Sequence, residues 1–279
     1  MRKIPLLLVV ALLFFADGKN GADAPDVLRV RNGEIIAFDR MVEEVKKAKV
    51  IFIGEVHNVR EHHRSELALI AALHESDAPL VIGLEMFRSD GNAALDAWVA
   101  GTLPLDKFLP SYYDNWREPW PLYRDVFLYA REHRIPLLGL NIPHDIAETV
   151  SRGGFASLSR EQKKRLPPGI SCDIDARYMD FIRKAYADHK RNGKGFARFC
   201  EAQMVWDKTM AWNVVEFLKR NPGRTMVVLA GAGHAWKRGI PEQVARLSPF
   251  TYTAILPVVP DQVEKKTVTT QDADYLLLR

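Results

Sequence analysis

The run Val50-Ile51-Phe52-Ile53-Gly54-Glu55-Val56-His57 decides how this chain is read. Four consecutive large apolar residues, three of them β-branched, describe a strand buried on both faces, because a half-exposed strand would alternate. The run stops at a glycine and then sets down a carboxylate and an imidazole. The pattern recurs downstream. Leu80-Val81-Ile82-Gly83-Leu84 runs into Glu85, the apolar stretch 135–140 into Asn141, and Met226-Val227-Val228-Leu229-Ala230 into Gly231-Ala232-Gly233-His234. Residues 250–256 form a further apolar strand. Helical periodicity fills the gaps over 60–75, 92–100 (closed by Gly101), 121–133 and, longest, 195–220. The expected fold is α/β: a mostly parallel sheet with helices on both faces and a helical insertion between Asn141 and Arg220. Ahead of the first buried strand, segments 28–31 and 34–38 flank Asn32-Gly33 as a hairpin, and Asp39 is expected to cap a helix through Lys47.

The bulk properties fit one folded domain. The chain has 279 residues, 27% charged and 47% hydrophobic, which excludes a disordered protein. Two cysteines exclude a disulfide-dense scaffold. The net charge of +4 comes without a Lys/Arg cluster, so no nucleic-acid partner is expected. The N-terminus stands apart. Arg2 and Lys3 precede an apolar run over 4–16, shorter than a membrane span and of signal-segment length, and Ala22-Asp23-Ala24 offers a small-x-small cleavage site. Residues 1–24 are expected to be a signal peptide and 25–279 a single exported domain, periplasmic or outer-membrane associated. The alternative is an uncleaved anchor. No cysteine near the end of the apolar run could carry a lipid. Export permits a disulfide, for which Cys172 and Cys200 are the candidates; the other reading is two free buried thiols.

Parallel strands bring their carboxyl ends to one edge, where ligands bind in open α/β sheets. Glu55, His57, Glu85 and His234 are the candidate cluster there, with Asn141 beside them. Glu55 and His57 are two residues apart in extended chain and point the same way. On the next helix Val59, His63, Leu67 and Ile70 share a face, so His63 joins from the core stripe while His62 points further round. A mixed His/carboxylate set suits zinc, manganese or non-haem iron, and a bound metal could supply a hydroxide at neutral pH. Without metal, a Glu–His pair is a general base with its orienting partner. A buried ion-pair network is the purely structural alternative. On the long helix Phe196, Phe199, Gln203, Trp206, Met210 and Phe217 share one face. Gln203 interrupts that stripe and Asp207 sits one turn on; both are expected to support the Glu/His cluster.

Taken in order, these motifs resemble the ChaN family of haem-binding uptake proteins in the Tiki superfamily. The residues that carry the resemblance are Gly54-Glu55-Val56-His57, His63, Gly83-Leu84-Glu85-Met86-Phe87, Trp116, Trp120, Tyr123, Asn141 and Pro143. It continues through Ala202-Gln203, Trp206-Asp207, Met210-Ala211, Ala230-Gly231, Gly233-His234 and Gly239-Ile240-Pro241. It covers about residues 40–257. The resemblance implies haem as cofactor and a role in haem-iron uptake. It also implies a possible homodimer, since one family member binds haem at a dimer interface through a tyrosine. Membrane contact would come only through an uncleaved signal segment or an uptake receptor. The wider superfamily includes metal-dependent proteases and erythromycin-esterase-like hydrolases with a Glu/His cluster at matching strand ends, so a metal-dependent hydrolase is the alternative. The chain departs from the family in carrying His144 where arginine is usual and in lacking the cysteine that anchors its lipoprotein members. For haem, residues 110–123 read as an aromatic loop holding Tyr112, Tyr113, Trp116, Trp120 and Tyr123, with Lys107, Arg117 and Arg124 near for propionates. Trp120 and Tyr123 read as core. Tyr112 and Tyr113 read as exposed and are the candidate axial ligands, with Tyr178 a third.

Overall fold

The computed structural model describes residues 25–170, 176–185 and 194–278. The expected signal segment 1–24 and Cys172 lie outside the described residues; Cys200 is a free, buried thiol. In chain order the elements are β1 (Val27–Arg29), β2 (Glu34–Ile36), α1 (Phe38–Val45), β3 (Val50–Glu55), α2 (Arg60–Glu75), β4 (Leu80–Arg88), α3 (Asn92–Val99), α4 (Leu105–Asn115), α5 (Trp120–Glu132) and β5 (Leu137–Asn141). There follow α6 (His144–Gly153), α7 (Arg160–Lys164), α8 (Ala176–Ala185), α9 (Lys194–Arg220), β6 (Thr225–Gly231), α10 (Ala232–Ala235), α11 (Ile240–Leu247), β7 (Tyr252–Pro257) and β8 (Tyr275–Leu277).

The strands form one sheet in the order β2-β1-β8-β7-β3-β6-β4-β5. From β8 to β5 every neighbouring pair is parallel; β1 runs antiparallel to both β2 and β8. The continuous apolar runs are explained by two covered faces. Ile51, Ile53, Ile82, Leu84, Val227 and Leu229 join one core, under α1 to α5. Val50, Phe52, Val81, Met226 and Val228 join the other, under α8, α9 and α11. The helical insertion adds a small core of its own, in which Ile142, Ile146 and Val150 pack against Ala202 and Val205 of α9. Among the described residues no helix is long and apolar enough to cross a membrane.

Several local expectations need correction. Helix α1 starts from Ala37, with no side-chain cap, and Asp39 lies in its first turn. Its carboxylate there still favours the positive helix end. The segment read as an aromatic loop is mostly helical: its first part ends α4, with Pro110 inside it, and its last part opens α5. Pro110 is the sixth residue of α4, so its missing N–H removes one intrahelical hydrogen bond that the packed helix does without. Strand β8 had no counterpart in the sequence reading. Strand β4 runs past Leu84 to Arg88, with an irregularity in its pairing to β5 between those residues. Gly139 makes that possible, since a Cβ there would fall 2.4 Å from the Arg88 carbonyl oxygen.

Candidate functional site

The four strand ends converge as the parallel order requires, but their side chains take unequal parts. Glu55, at the end of β3, is 1% exposed. Its Oε1 accepts from the Tyr123 hydroxyl at 2.5 Å and pairs with His57 Nδ1 at 2.7 Å. Its Oε2 lies 2.8 Å from His63 Nδ1. His63 Nδ1 is also 3.0 Å from Glu66 Oε2, and its Nε2 donates to the His57 carbonyl at 3.0 Å. His62 does not turn away: its Nδ1 accepts from the Val56 N–H at 2.9 Å and fixes the turn after β3.

A second chain of contacts faces the first. Tyr178 donates to Asp207 Oδ2 at 2.8 Å, and Asp207 Oδ1 holds His234 Nδ1 at 2.6 Å. His234 Nε2 looks toward Glu85 Oε1, 3.7 Å away. Glu85 Oε2 accepts from the Gly231 N–H at 2.6 Å, while Asn141 donates to the Glu85 carbonyl at 2.8 Å. Gly231 must be glycine for this approach, because a Cβ there would come within 2.8 Å of His57 Cε1. Gln203 is 3% exposed and its amide oxygen has no partner. Trp206 meets the His234 ring edge-on at 5.9 Å.

His57, Glu85, Asn141, Gln203, Trp206 and His234 line one cavity of about 550 Å³, within the usual range for small-molecule and cofactor sites. Burial works against a charge on His57, but its hydrogen bond to Glu55 and the charges of Glu85, Glu55 and Glu118 outweigh that and raise its pKa to about 9. His234 is likewise raised: burial opposes its charge, and Glu85 and Asp207 outweigh the burial. Glu55 is held low, the cost of burial being overcome by His57 and His63, whereas burial and the Glu55 charge push Glu66 up. At neutral pH the cavity therefore presents the His57 imidazolium next to the Glu55 carboxylate.

Residues 41–244 match the family described as haem-binding uptake, Tiki superfamily, ChaN. The chain belongs to that family. Among solved structures it resembles ChaN of Campylobacter jejuni, whose structure describes cofacial haem binding. The TM-score is 0.72 at 20% identity, over 91% of this chain and 96% of that one. It also resembles a mutant of the erythromycin esterase EreC in its open conformation, with TM-score 0.52 at 14% identity, over 84% of this chain and 76% of that one. At these identities both likenesses speak for the fold. No curated protein matches the sequence.

For a ChaN-family chain the question is whether these residues fit haem. The cavity walls include Trp116, Trp206, Phe199 and Ile142, and its rim carries Arg88, Arg117 and His144. Apolar walls with two arginines among the lining residues suit a porphyrin with its propionates. The tyrosines divide sharply. Tyr112 is fully buried in an aromatic cluster with Phe87, Phe108, Trp120 and Phe127, and its hydroxyl donates to the Glu118 carbonyl at 3.0 Å. This corrects the expectation that it is exposed; one turn after Phe108 on α4, it faces the same core. Tyr178 is 6% exposed and committed to Asp207. Tyr113, the next residue round the helix, is 51% exposed. Its hydroxyl accepts from the Trp120 N–H at 3.2 Å. Of the three, Tyr113 alone is exposed, though it is not among the residues that line the cavity. Lys107 and Arg124 lie beside Asp106 and Asp125 and take no part in the cavity wall.

The sequence reading missed Tyr123, Glu66 and Arg88. Glu66 is fully buried one turn from His63 and was detectable as a carboxylate on the core-facing stripe of α2. Arg88 bonds the Asp114 carboxylate at 2.6 Å and so ties β4 to the end of α4. Nothing in the sequence marks that long-range pair. The metal set Glu55, His57, Glu85 and His234 does not gather its donor atoms as expected. Among the described residues the donors that lie within 4.8 Å of one another belong to Glu55, His63 and Glu66. Glu55 turns toward α2 because Tyr123 and His63 are there to satisfy it.

Proposed function

We propose that this chain binds haem in the uptake of haem iron and works outside the cytoplasm, exported by its N-terminal segment. The observation that carries the reading is the pairing of ChaN-family membership with an apolar-walled cavity whose rim holds Arg88, Arg117 and His144. Haem supplies the iron to be moved. Tyr113, exposed outside the cavity lining, is the residue to ligate haem that reaches past the cavity mouth, Arg88 and Arg117 hold the propionates, and Trp116 and Trp206 exclude water. A second copy of the chain, recruited by the exposed face of the haem, completes the binding unit. Haemin titration of the full chain tests this. The expected result is a tyrosinate-type absorption spectrum that Tyr113→Phe removes, with Arg88→Ala weakening binding and haem loading shifting the sedimentation of the protein toward a dimer. No spectral change on titration would overturn it.

A second reading, a hydrolase, is favoured by one observation. His57 is held by Glu55 through Nδ1, and among the described residues no hydrogen-bond partner meets its Nε2 at the cavity. Nε2 is thus the atom that would take a proton from an attacking water, with Glu55 fixing the tautomer. With its pKa near 9, His57 is protonated at pH 7, so this reading expects ester or peptide turnover that rises toward alkaline pH. Turnover unchanged in His57→Ala and His234→Ala proteins would eliminate it.

A further inference from the structure

We propose that His74 and His133 form a surface clamp for an imidazole-seeking divalent cation, Zn²⁺ or Cu²⁺, at the end of the sheet opposite the cavity. Helix α2 runs back from the carboxyl end of β3, and α5 leads into β5. The last turn of α2 and the C-cap of α5 therefore stand beside the amino ends of β4 and β5. His74 lies in that last turn and His133 is that C-cap. Their ring centroids are 4.9 Å apart. With metal–nitrogen bonds of about 2.1 Å, each ring centre lies about 3.2 Å from the ion, and ligand angles of about 90–110° separate the centres by about 4.5–5.2 Å. The observed pair falls inside that interval.

The two rings are held in place but left without polar partners. Tyr129 lies 4.1 Å from the His133 ring and meets the His74 ring edge-on at 6.1 Å. Each helix end is closed by a left-handed residue, Asp77 (φ 58) and Arg134 (φ 53). The Asp77 N–H returns to the His74 carbonyl at 3.0 Å, and the Ile135 N–H to the Ala130 carbonyl at 2.8 Å. Among the described residues neither imidazole takes a hydrogen bond or an ion pair, and Glu75 and Glu132 beside them take none either. Burial raises the Tyr129 phenol and the charges of Glu75 and Glu132 raise it further, so both carboxylates lie around the ring that the two histidines share. Two helix C-termini also end here, and their carbonyl ends favour a cation. Imidazole donors suit zinc and copper, whereas calcium and magnesium seek oxygen. Glu75, Glu132 or water completes the coordination. The first turns of the same two helices carry His63 and Tyr123, which hold Glu55. A cation across the far ends thus braces the support of the cavity without entering it.

Calorimetric titration of the full chain with Zn²⁺ tests this. One zinc equivalent per chain should weaken by about tenfold or more in His74→Gln and equally in His133→Gln, with little further loss in the double variant, because a clamp without one arm has lost the use of the other. Zn²⁺ should raise the melting temperature of the wild type and not that of either variant, whose metal-free melts show that they fold. Electron paramagnetic resonance of the Cu²⁺-loaded wild type should carry a two-imidazole signal that each of these variants removes and that His144→Gln, altered at the cavity, retains. An ion held in the cavity would persist in both variants and is counted apart. No zinc equivalent sensitive to His74 and His133, loss in one variant alone, or a single-imidazole copper signal would mean that the rings serve packing only, and would overturn the proposal. Haemin binding, read on the same samples, should stay at its wild-type value in both variants.

Discussion

Replacing Tyr123 by phenylalanine removes one oxygen and leaves the packing in place. The ring is fully buried, so its apolar contacts survive, and the lost atom is the donor to Glu55 Oε1 at 2.5 Å. Glu55 is a carboxylate held low in pKa and shut away from water, so no solvent molecule steps in as the replacement. Hydrogen bonds to charged groups contribute about 1.5–3 kcal/mol, against about 0.5–1.5 kcal/mol for neutral ones. Tyr112→Phe is the internal control. That residue is equally buried, but its hydroxyl donates to a neutral carbonyl. Urea denaturation at pH 7 should show Tyr123→Phe losing about 1.5–3 kcal/mol and Tyr112→Phe about half as much, both with unchanged m. In a Glu55→Gln background the Tyr123→Phe loss should fall to the neutral range, the difference being the coupling of the pair. Equal losses at the two tyrosines, or a Tyr123→Phe loss that ignores the Glu55 background, would refute the charged-acceptor argument.

Three further outcomes are expected. Gln203→Leu should stabilise the protein by about 1–3 kcal/mol in thermal melts, because the amide oxygen is buried without a partner, and should weaken haemin binding in titration. Gly231→Ala should cost about 1–3 kcal/mol in urea unfolding, since the new methyl would meet His57 Cε1 at 2.8 Å and force the imidazole off Glu55. Burial alone would raise Glu44, but the hydrogen bonds from Tyr275 and Arg29 outweigh it and hold the carboxyl at about 2 instead of 4.5. The stabilisation from this depressed pKa is complete above pH 4.5 and disappears as pH falls toward 2. A Glu44→Gln protein should show a flatter acid limb over that interval in stability-against-pH measurements.

The parts of this structure legible in advance were those written in local pattern. Unbroken apolar runs at 50–53, 80–84 and 226–230 announce strands covered on both sides, and their order with intervening helices leads to the parallel sheet. Spacing on α2 and α9 placed His63, Gln203 and Asp207 on inward faces, where all three are buried. Phase on a helix was harder to read where every residue is amphipathic. Tyr112 and Tyr113 look alike in sequence, and only the packing of Phe108 against Trp98 and Trp120 decides which ring turns in. Tyr123 read as core, which is true of its ring, but the hydroxyl belongs to the site. Such a partnership joins residues far apart in the chain and leaves no periodic trace. Strand β8 escaped for a similar reason: three residues hold their place only because β1 and β7 offer edges on both sides.

That last strand has a consequence for how the molecule comes to be. The hairpin of β1 and β2 touches the rest of the sheet only through β8, by pairs such as Leu28 with Leu276. Those partners lie far apart in sequence, so β1 cannot join the sheet until β8 has been made. Until then Val27 and Leu28 have no strand neighbour on that side, and so long a loop closure is costly in entropy. A chain still being synthesised is thereby kept from completing this edge of its sheet.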